Sequence, residues 1–175
     1  MKKSFVIVFV IFTLTQSFTC GKKEDAPTPT TTVEILVKDG NSWSTSNTVL
    51  SAAGGTTVYL YATEADVTGN TPKYTATTDQ NGIAKISVDF QSQYFLKAQK
   101  GDAKNMINGL LIIGIFQSQA EIDSSPYQTP APAVGAPKFL DTNRDDIITA
   151  QDKIIADRVE PKQDQNVNKT VIIYQ

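Results

Sequence analysis

Histidine is missing from this 175-residue chain, and cysteine and tryptophan occur once each. Without an imidazole there is no Ser-His or Cys-His couple and no histidine metal ligand, which removes much of the usual catalytic repertoire. A single cysteine cannot close an internal disulfide. Basic residues do not predominate. There are 16 Lys and Arg against 18 Asp and Glu, a formal net charge of −2, so no nucleic-acid partner is expected. Two apolar runs, residues 5–14 and 106–116, are both too short to cross a bilayer as a helix. The chain is rich instead in Thr, Val, Ile and Tyr, residues that favour strands.

Met1-Lys2-Lys3 is a short positive n-region and residues 5–14 form an apolar h-region, so residues 1–19 read as an export signal. Ser17-Phe18-Thr19-Cys20 follows, and Cys20-Gly21 after such a run resembles the lipobox of bacterial lipoproteins. The resemblance implies cleavage before Cys20 and diacylglycerylation of its thiol, with several acyl chains giving stable outer-membrane anchoring. An ordinary secretory signal with an incidental Cys is the alternative. Lys22-Lys23-Glu24-Asp25 is similar to the Lys-then-acidic tag that sends some Gram-negative lipoproteins to the cell surface; a generic charged tether is the other reading. Residues 20–32, Pro- and Thr-rich toward their end, read as an unstructured spacer.

From Val33 the sequence alternates. Val33, Ile35 and Val37 share one face of a strand that Asp39-Gly40-Asn41-Ser42 breaks. Residues 56–62 set Val58, Leu60 and Ala62 opposite Tyr59 and Tyr61. Asp79-Gln80-Asn81-Gly82 is a hairpin signal leading into residues 83–90, where Ala84, Ile86, Val88 and Phe90 share a face. Residues 94–100 alternate again, residues 106–116 read as a buried strand, and residues 169–174 as the closing strand. No amphipathic helix of useful length is expected before residue 117. The expected fold is all-β, a sandwich of residues 33–116 plus 169–175, with residues 117–168 as an insertion carrying one short helix.

Three phrases, Thr56-Thr-Val-Tyr-Leu-Tyr-Ala62, Thr78-Asp-Gln-Asn-Gly-Ile-Ala84 and Tyr94-Phe-Leu-Lys-Ala-Gln-Lys-Gly101, together resemble the carboxypeptidase-regulatory-like family over residues 33–101. The resemblance implies a transthyretin-like (immunoglobulin-like) β-sandwich and a non-enzymatic structural or binding module.

The insertion contains Asp141-Thr-Asn-Arg-Asp-Asp-Ile-Ile-Thr-Ala-Gln-Asp152, where hard oxygen donors sit at fixed offsets. Asp141, Asn143 and Asp145 occupy positions 1, 3 and 5 of a twelve-residue loop. Ile147 at position 7 offers its carbonyl, Thr149 at position 9 binds directly or through water, and Asp152 closes position 12. Calcium takes six to eight oxygens in a flexible shell, and a loop of EF-hand type supplies them at this spacing. Ile148 at position 8 is the inward apolar residue. Position 6 is Asp146 where Gly normally allows the sharp turn, and Asp152 is one methylene shorter than Glu. A solvated acidic turn followed by a helix is the alternative.

Gly114-Ile-Phe-Gln-Ser-Gln-Ala-Glu-Ile-Asp-Ser-Ser-Pro126, a Pro/Ala spacer and then residues 138–153 resemble a segment of the starch-utilisation-type TonB-dependent receptors. This chain departs from that pattern at Arg144 and Asp146, where Gly would be expected. It is far too short for such a barrel, so the resemblance implies a borrowed surface module. Residues 118–122 can form one helical turn, and residues 127–137 are expected to be extended. Residues 138–140 read as a strand. Thr149 can cap a helix over residues 150–159, with Asp152 as its capping-box partner and Pro161 as its stop.

Three functions of different class remain. The first is a surface-anchored binding or accessory module, for glycan acquisition or adhesion, with structural calcium. It would touch a glycan or an outer-membrane receptor, and Trp43, Tyr59, Tyr61, Tyr74 and Tyr127 are candidates for sugar stacking. The second is a hydrolase using paired carboxylates from Glu64, Asp66, Glu121 and Asp123, against which solvated loop acids are the simpler reading. The third is a dockerin-like scaffold binder, which needs a second calcium loop that the sequence does not carry.

Overall fold

The structure is a computed structural model and describes residues 31–175; the expected signal peptide, Cys20 and residues 21–30 of the tether lie outside it. In chain order the fold begins with β1 (Thr31–Asp39), β2 (Ser51–Ala52) and β3 (Thr57–Tyr61), then helix α1 (Glu64–Gly69). There follow β4 (Tyr74–Thr77), β5 (Ile83–Val88), β6 (Tyr94–Lys100), β7 (Ala103–Lys104), β8 (Met106–Ile107) and β9 (Leu110–Ile115). Helix α2 (Gln119–Asp123) leads to β10 (Tyr127–Gln128), β11 (Pro137–Phe139) and β12 (Ile147–Ile148), and the chain ends with β13 (Asp157–Val159) and β14 (Asn166–Ile173).

Two sheets make an all-β sandwich. In the first, β1 pairs in parallel with β14 on one side, and antiparallel with β5 and then β2 on the other. In the second, strands run in the order β13-β6-β3-β4, with β7 also on β6. The alternation seen from Val33 is the cause. Val33, Ile35 and Val37 are fully buried against Val58 and Leu60 of β3 and Leu96 and Ala98 of β6. β14 contributes Val171 and Ile173 to the same core. Burying a side chain of this size is worth about 1.5–3 kcal/mol, so this one layer dominates the favourable side of folding.

The opposite face of the second sheet is also covered. Tyr61 and Phe95 pack with Val67 of α1 and with Ala156. Helix α1 was not expected. It is held by a capping box, in which Thr63 Oγ1 accepts from Asp66 N–H while Asp66 Oδ2 accepts from Thr63 N–H at 3.0 Å. Asn70 ends it in a left-handed conformation.

Four other expectations change. Residues 79–82 do not close a hairpin. They carry the chain from β4, paired with β3, across to β5, paired with β1. Gly82 is required there by its φ of 75° and by space, since a Cβ would lie 2.5 Å from the Val37 carbonyl oxygen. Phe90 does not join the core face of β5; it lies past the strand's end and is 56% exposed. The run 106–116 is not one strand but a tight hairpin, β8 to β9, turning at Asn108-Gly109 with φ of 52° and 86°. The helix over residues 150–159 does not form either. A single 3-10 turn at Ala150–Asp152 gives way to β13, which pairs with the edge of β6. The edge of β6 presents unpaired backbone groups that a strand satisfies and a helix would not. The strand also buries Val159, and Asp157 there meets Lys169 Nζ at 3.0 Å.

Candidate functional site

Residues 141–152 fold as a ring around the Asp141 carboxylate. Its Oδ1 accepts Arg144 N–H at 2.6 Å and its Oδ2 accepts Asp146 N–H at 2.9 Å. Asn143 Oδ1 accepts Asp145 N–H, and Asp145 Oδ1 accepts Ile147 N–H at 3.0 Å. Such side chain–backbone bonds are how Asp and Asn set turns. The curl needs left-handed backbone at two places, Arg144 (φ 60°) and Asp146 (φ 63°). Glycine was the residue expected at both positions, and the ring forms with Arg and Asp there.

Asp152 closes the ring from inside the protein. Its side chain is fully buried; Oδ1 accepts Thr142 N–H at 2.9 Å and Oδ2 accepts Thr149 N–H at 2.7 Å. These bonds hold its carboxyl below the usual carboxylate range, Thr149 N–H first, against the opposing effect of burial. The capping box expected between Thr149 and Asp152 is therefore present, and Thr149 Oγ1 also accepts Gln151 N–H. Ile148 is half-buried, as its position in the loop implies. Ile147 lies in β12, which pairs in parallel with β10, and Tyr127 N–H donates to the Asp146 carbonyl at 2.8 Å. Oxygen-bearing groups stand at loop positions 1, 3, 5, 7, 9 and 12, as the sequence spacing sets them. Among the described residues no three His, Cys, Asp or Glu side chains gather as a metal-holding group. The oxygen groups here are mixed, three carboxylates with an amide, a hydroxyl and a carbonyl, and both oxygens of Asp141 and of Asp152 already accept the loop's own N–H groups.

The loop's exit forms one wall of a cleft of about 440 Å3 on the outer face of the second sheet. Ile154 N–H donates to the Gly109 carbonyl at 2.9 Å, which ties this exit to the β8–β9 hairpin. Tyr59 and Tyr61 from β3 meet in the cleft with ring centroids 6.4 Å apart and a tilt of 34°. Tyr61 donates its hydroxyl to Asn70 Oδ1 at 3.0 Å, and Lys97 Nζ stands 5.7 Å from its ring centre. Burial, and then the neighbouring Tyr59, push the Tyr61 hydroxyl's pKa up.

Of the five aromatic candidates, only Tyr59 and Tyr61 are brought together in this cleft. Tyr127 is 62% exposed beside the loop. Tyr74 packs edge-on against buried Tyr94 and accepts Asp89 N–H, and Trp43 lies against Gly135, so these two are structural. The four candidate acids do not pair. Asp66 caps α1, and Glu64 lies 4.0 Å from Arg158. Glu121 binds Lys138 Nζ at 2.7 Å, and Asp123 accepts from Gln119.

Sequence reasoning passed over Lys97, Lys104 and Asn105, which also line the cleft. No local signal marks them; pairing of β6 with β3 and β7 sets them beside Tyr59 and Tyr61. No family model matches the sequence, and a comparison with curated proteins finds no match.

Proposed function

We propose that this chain is a non-enzymatic surface lipoprotein, anchored in the outer membrane through Cys20, whose β-sandwich is a binding or accessory module and whose loop at residues 141–152 holds a structural calcium ion. The observation that carries the calcium reading is the left-handed backbone at Arg144 and Asp146. Two residues accept a strained conformation, and the result is a ring with oxygen donors at the spacing that calcium takes. Asp141, Asn143 and Asp145 would hold the ion, completed by the Ile147 carbonyl, Thr149 and Asp152. Calcium there would neutralise the loop's acids and fasten its two ends.

The role is that of a clip, not a switch. Surface calcium modules have dissociation constants on the order of 0.1–1 mM. With about 1 mM free calcium and an affinity of ~0.1 mM, binding adds roughly 1.4 kcal/mol to stability. The clip stiffens the loop exit, residues 153–155, which forms a wall of the aromatic cleft. That is the link between the ion and a ligand, for which a glycan is the proposed class and an outer-membrane receptor the proposed partner. The test is thermal melting with calcium and with chelator. Calcium should raise the midpoint by a few degrees in the native chain and not in an Asp141→Ala/Asp145→Ala variant. Equal midpoints in all four conditions would overturn the reading.

A further inference from the structure

The cleft between Tyr59, Lys104 and Ile155 carries an unmet hydrogen-bonding demand. Asn105 is 2% exposed and lies in its lining. Its Oδ1 accepts Ala98 N–H at 2.9 Å, taking the place of a strand carbonyl, while its own carbonyl accepts Ile112 N–H at 3.1 Å. That bond fixes which way the amide faces, because a flipped amide would set donor against donor. Nδ2 is buried with no hydrogen-bond partner among the described residues. A buried donor left unpaired is costly, so the group favours any acceptor that can reach it.

The charges around it point the same way. Lys97 and Lys104 line the cleft, no acidic residue does, and neither lysine is in an ion pair among the described residues. In a chain of net charge −2 this is a local excess of positive charge. Beside it the half-buried Tyr59 ring gives an apolar surface, with Tyr61 buried next to it at a centroid distance of 6.4 Å, and the exposed Ile155 lines the same cleft. The volume is that of an ordinary small-molecule site.

We infer that this cleft binds an acidic saccharide, a sugar bearing a carboxylate. The ring's C–H face lies on Tyr59, a hydroxyl or ring oxygen accepts from Asn105 Nδ2, and the carboxylate meets Lys97 and Lys104. The inference rests on the reading of the chain as a surface binding module, and it names that module's ligand class and site.

The test is calorimetric titration of the full chain, in calcium, with a short oligomer of galacturonic acid and with the neutral galactose oligomer of the same length. The acidic oligomer should bind and the neutral one bind at least about tenfold more weakly, since a charge pair in a partly desolvated site is worth that much discrimination. Lys104 is exposed and its substitution leaves the core alone, so Lys104→Glu should keep the native melting midpoint and lose about tenfold or more in affinity. Tyr59→Ala should weaken binding comparably. Equal binding of the two oligomers, no binding of either, or unchanged affinity in Lys104→Glu would each overturn the assignment. Calcium-dependent melting without saccharide binding would sink the cleft and leave the clip standing. Saccharide binding without calcium-dependent melting would do the reverse.

Discussion

Arg144 should be worth replacing. It sits at φ 60° on the rim of the loop, exposed and in no ion pair among the described residues. For an L-residue with a Cβ the left-handed conformation costs roughly 1–2 kcal/mol. Glycine takes it without that cost but loses about 0.5–1 kcal/mol more backbone entropy on folding. Arg144→Gly should therefore stabilise the fold by about 0.5–1 kcal/mol, which for a domain of this size raises the melting midpoint by roughly 1–4 °C. Arg144→Ala is the control, because it removes the same charge and side chain but keeps the Cβ. It should show none of the gain. At Asp146 (φ 63°) the native residue tolerates the left-handed region better, so Asp146→Gly should gain less than Arg144→Gly. Urea denaturation of the three variants in chelator, where no ion contributes, gives the comparison. An Arg144→Ala variant as stable as Arg144→Gly would show that charge, not backbone strain, sets the energetics of the loop, and would refute the reasoning.

Gly82→Ala should cost at least about 2 kcal/mol by urea denaturation, since it adds overpacking to a left-handed strain; its Cβ would meet the Val37 carbonyl oxygen at 2.5 Å, where only backbone can yield. Glu121 carries a pH prediction. Gln117 N–H and then Lys138 hold its carboxyl below its ordinary value of 4.5, so the folded state binds that proton more weakly than the unfolded chain does. The stabilisation is complete above pH 4.5 and fades as the pH falls through the lower folded value. Because the pair is over a third exposed on the Glu121 side, Glu121→Gln should cost less than about 1 kcal/mol at neutral pH, and the gap from the native chain should close in acid. A gap that widens in acid would contradict this.

The sandwich was legible because period-two alternation is a direct imprint of a strand with one buried face, as Val33, Ile35 and Val37 of β1 and Val58 and Leu60 of β3 show. The turn at residues 141–152 was legible because Asp and Asn bond backbone N–H groups only a few residues on, as Asp141 and Asn143 do here. Its cap was too, but a cap marks where a helix can start and not how far it runs. The exposed edge of β6 took residues 157–159 instead. Asp79 to Gly82 has hairpin chemistry, yet turn chemistry sets a bend and not a partner, and β5 found its partner in β1. Helix α1 shows a single buried residue, Val67, too little for a periodic signal. Asn108-Gly109 was hidden inside an apolar run. The lysines and Asn105 of the cleft are far in sequence from Tyr59 and Tyr61, and only strand pairing joins them.

The central claim is that residues 141–152 take up calcium, and a calcium titration followed through the backbone amide resonances of the loop tests it most directly. The Arg144, Asp146 and Ile147 amides, each now bonded to a loop carboxylate, should shift saturably with a midpoint on the order of 0.1–1 mM, and the Asp141→Ala/Asp145→Ala variant should show no such shift. Amides that stay put well above that range, or that shift alike in the native chain and the variant, would contradict it.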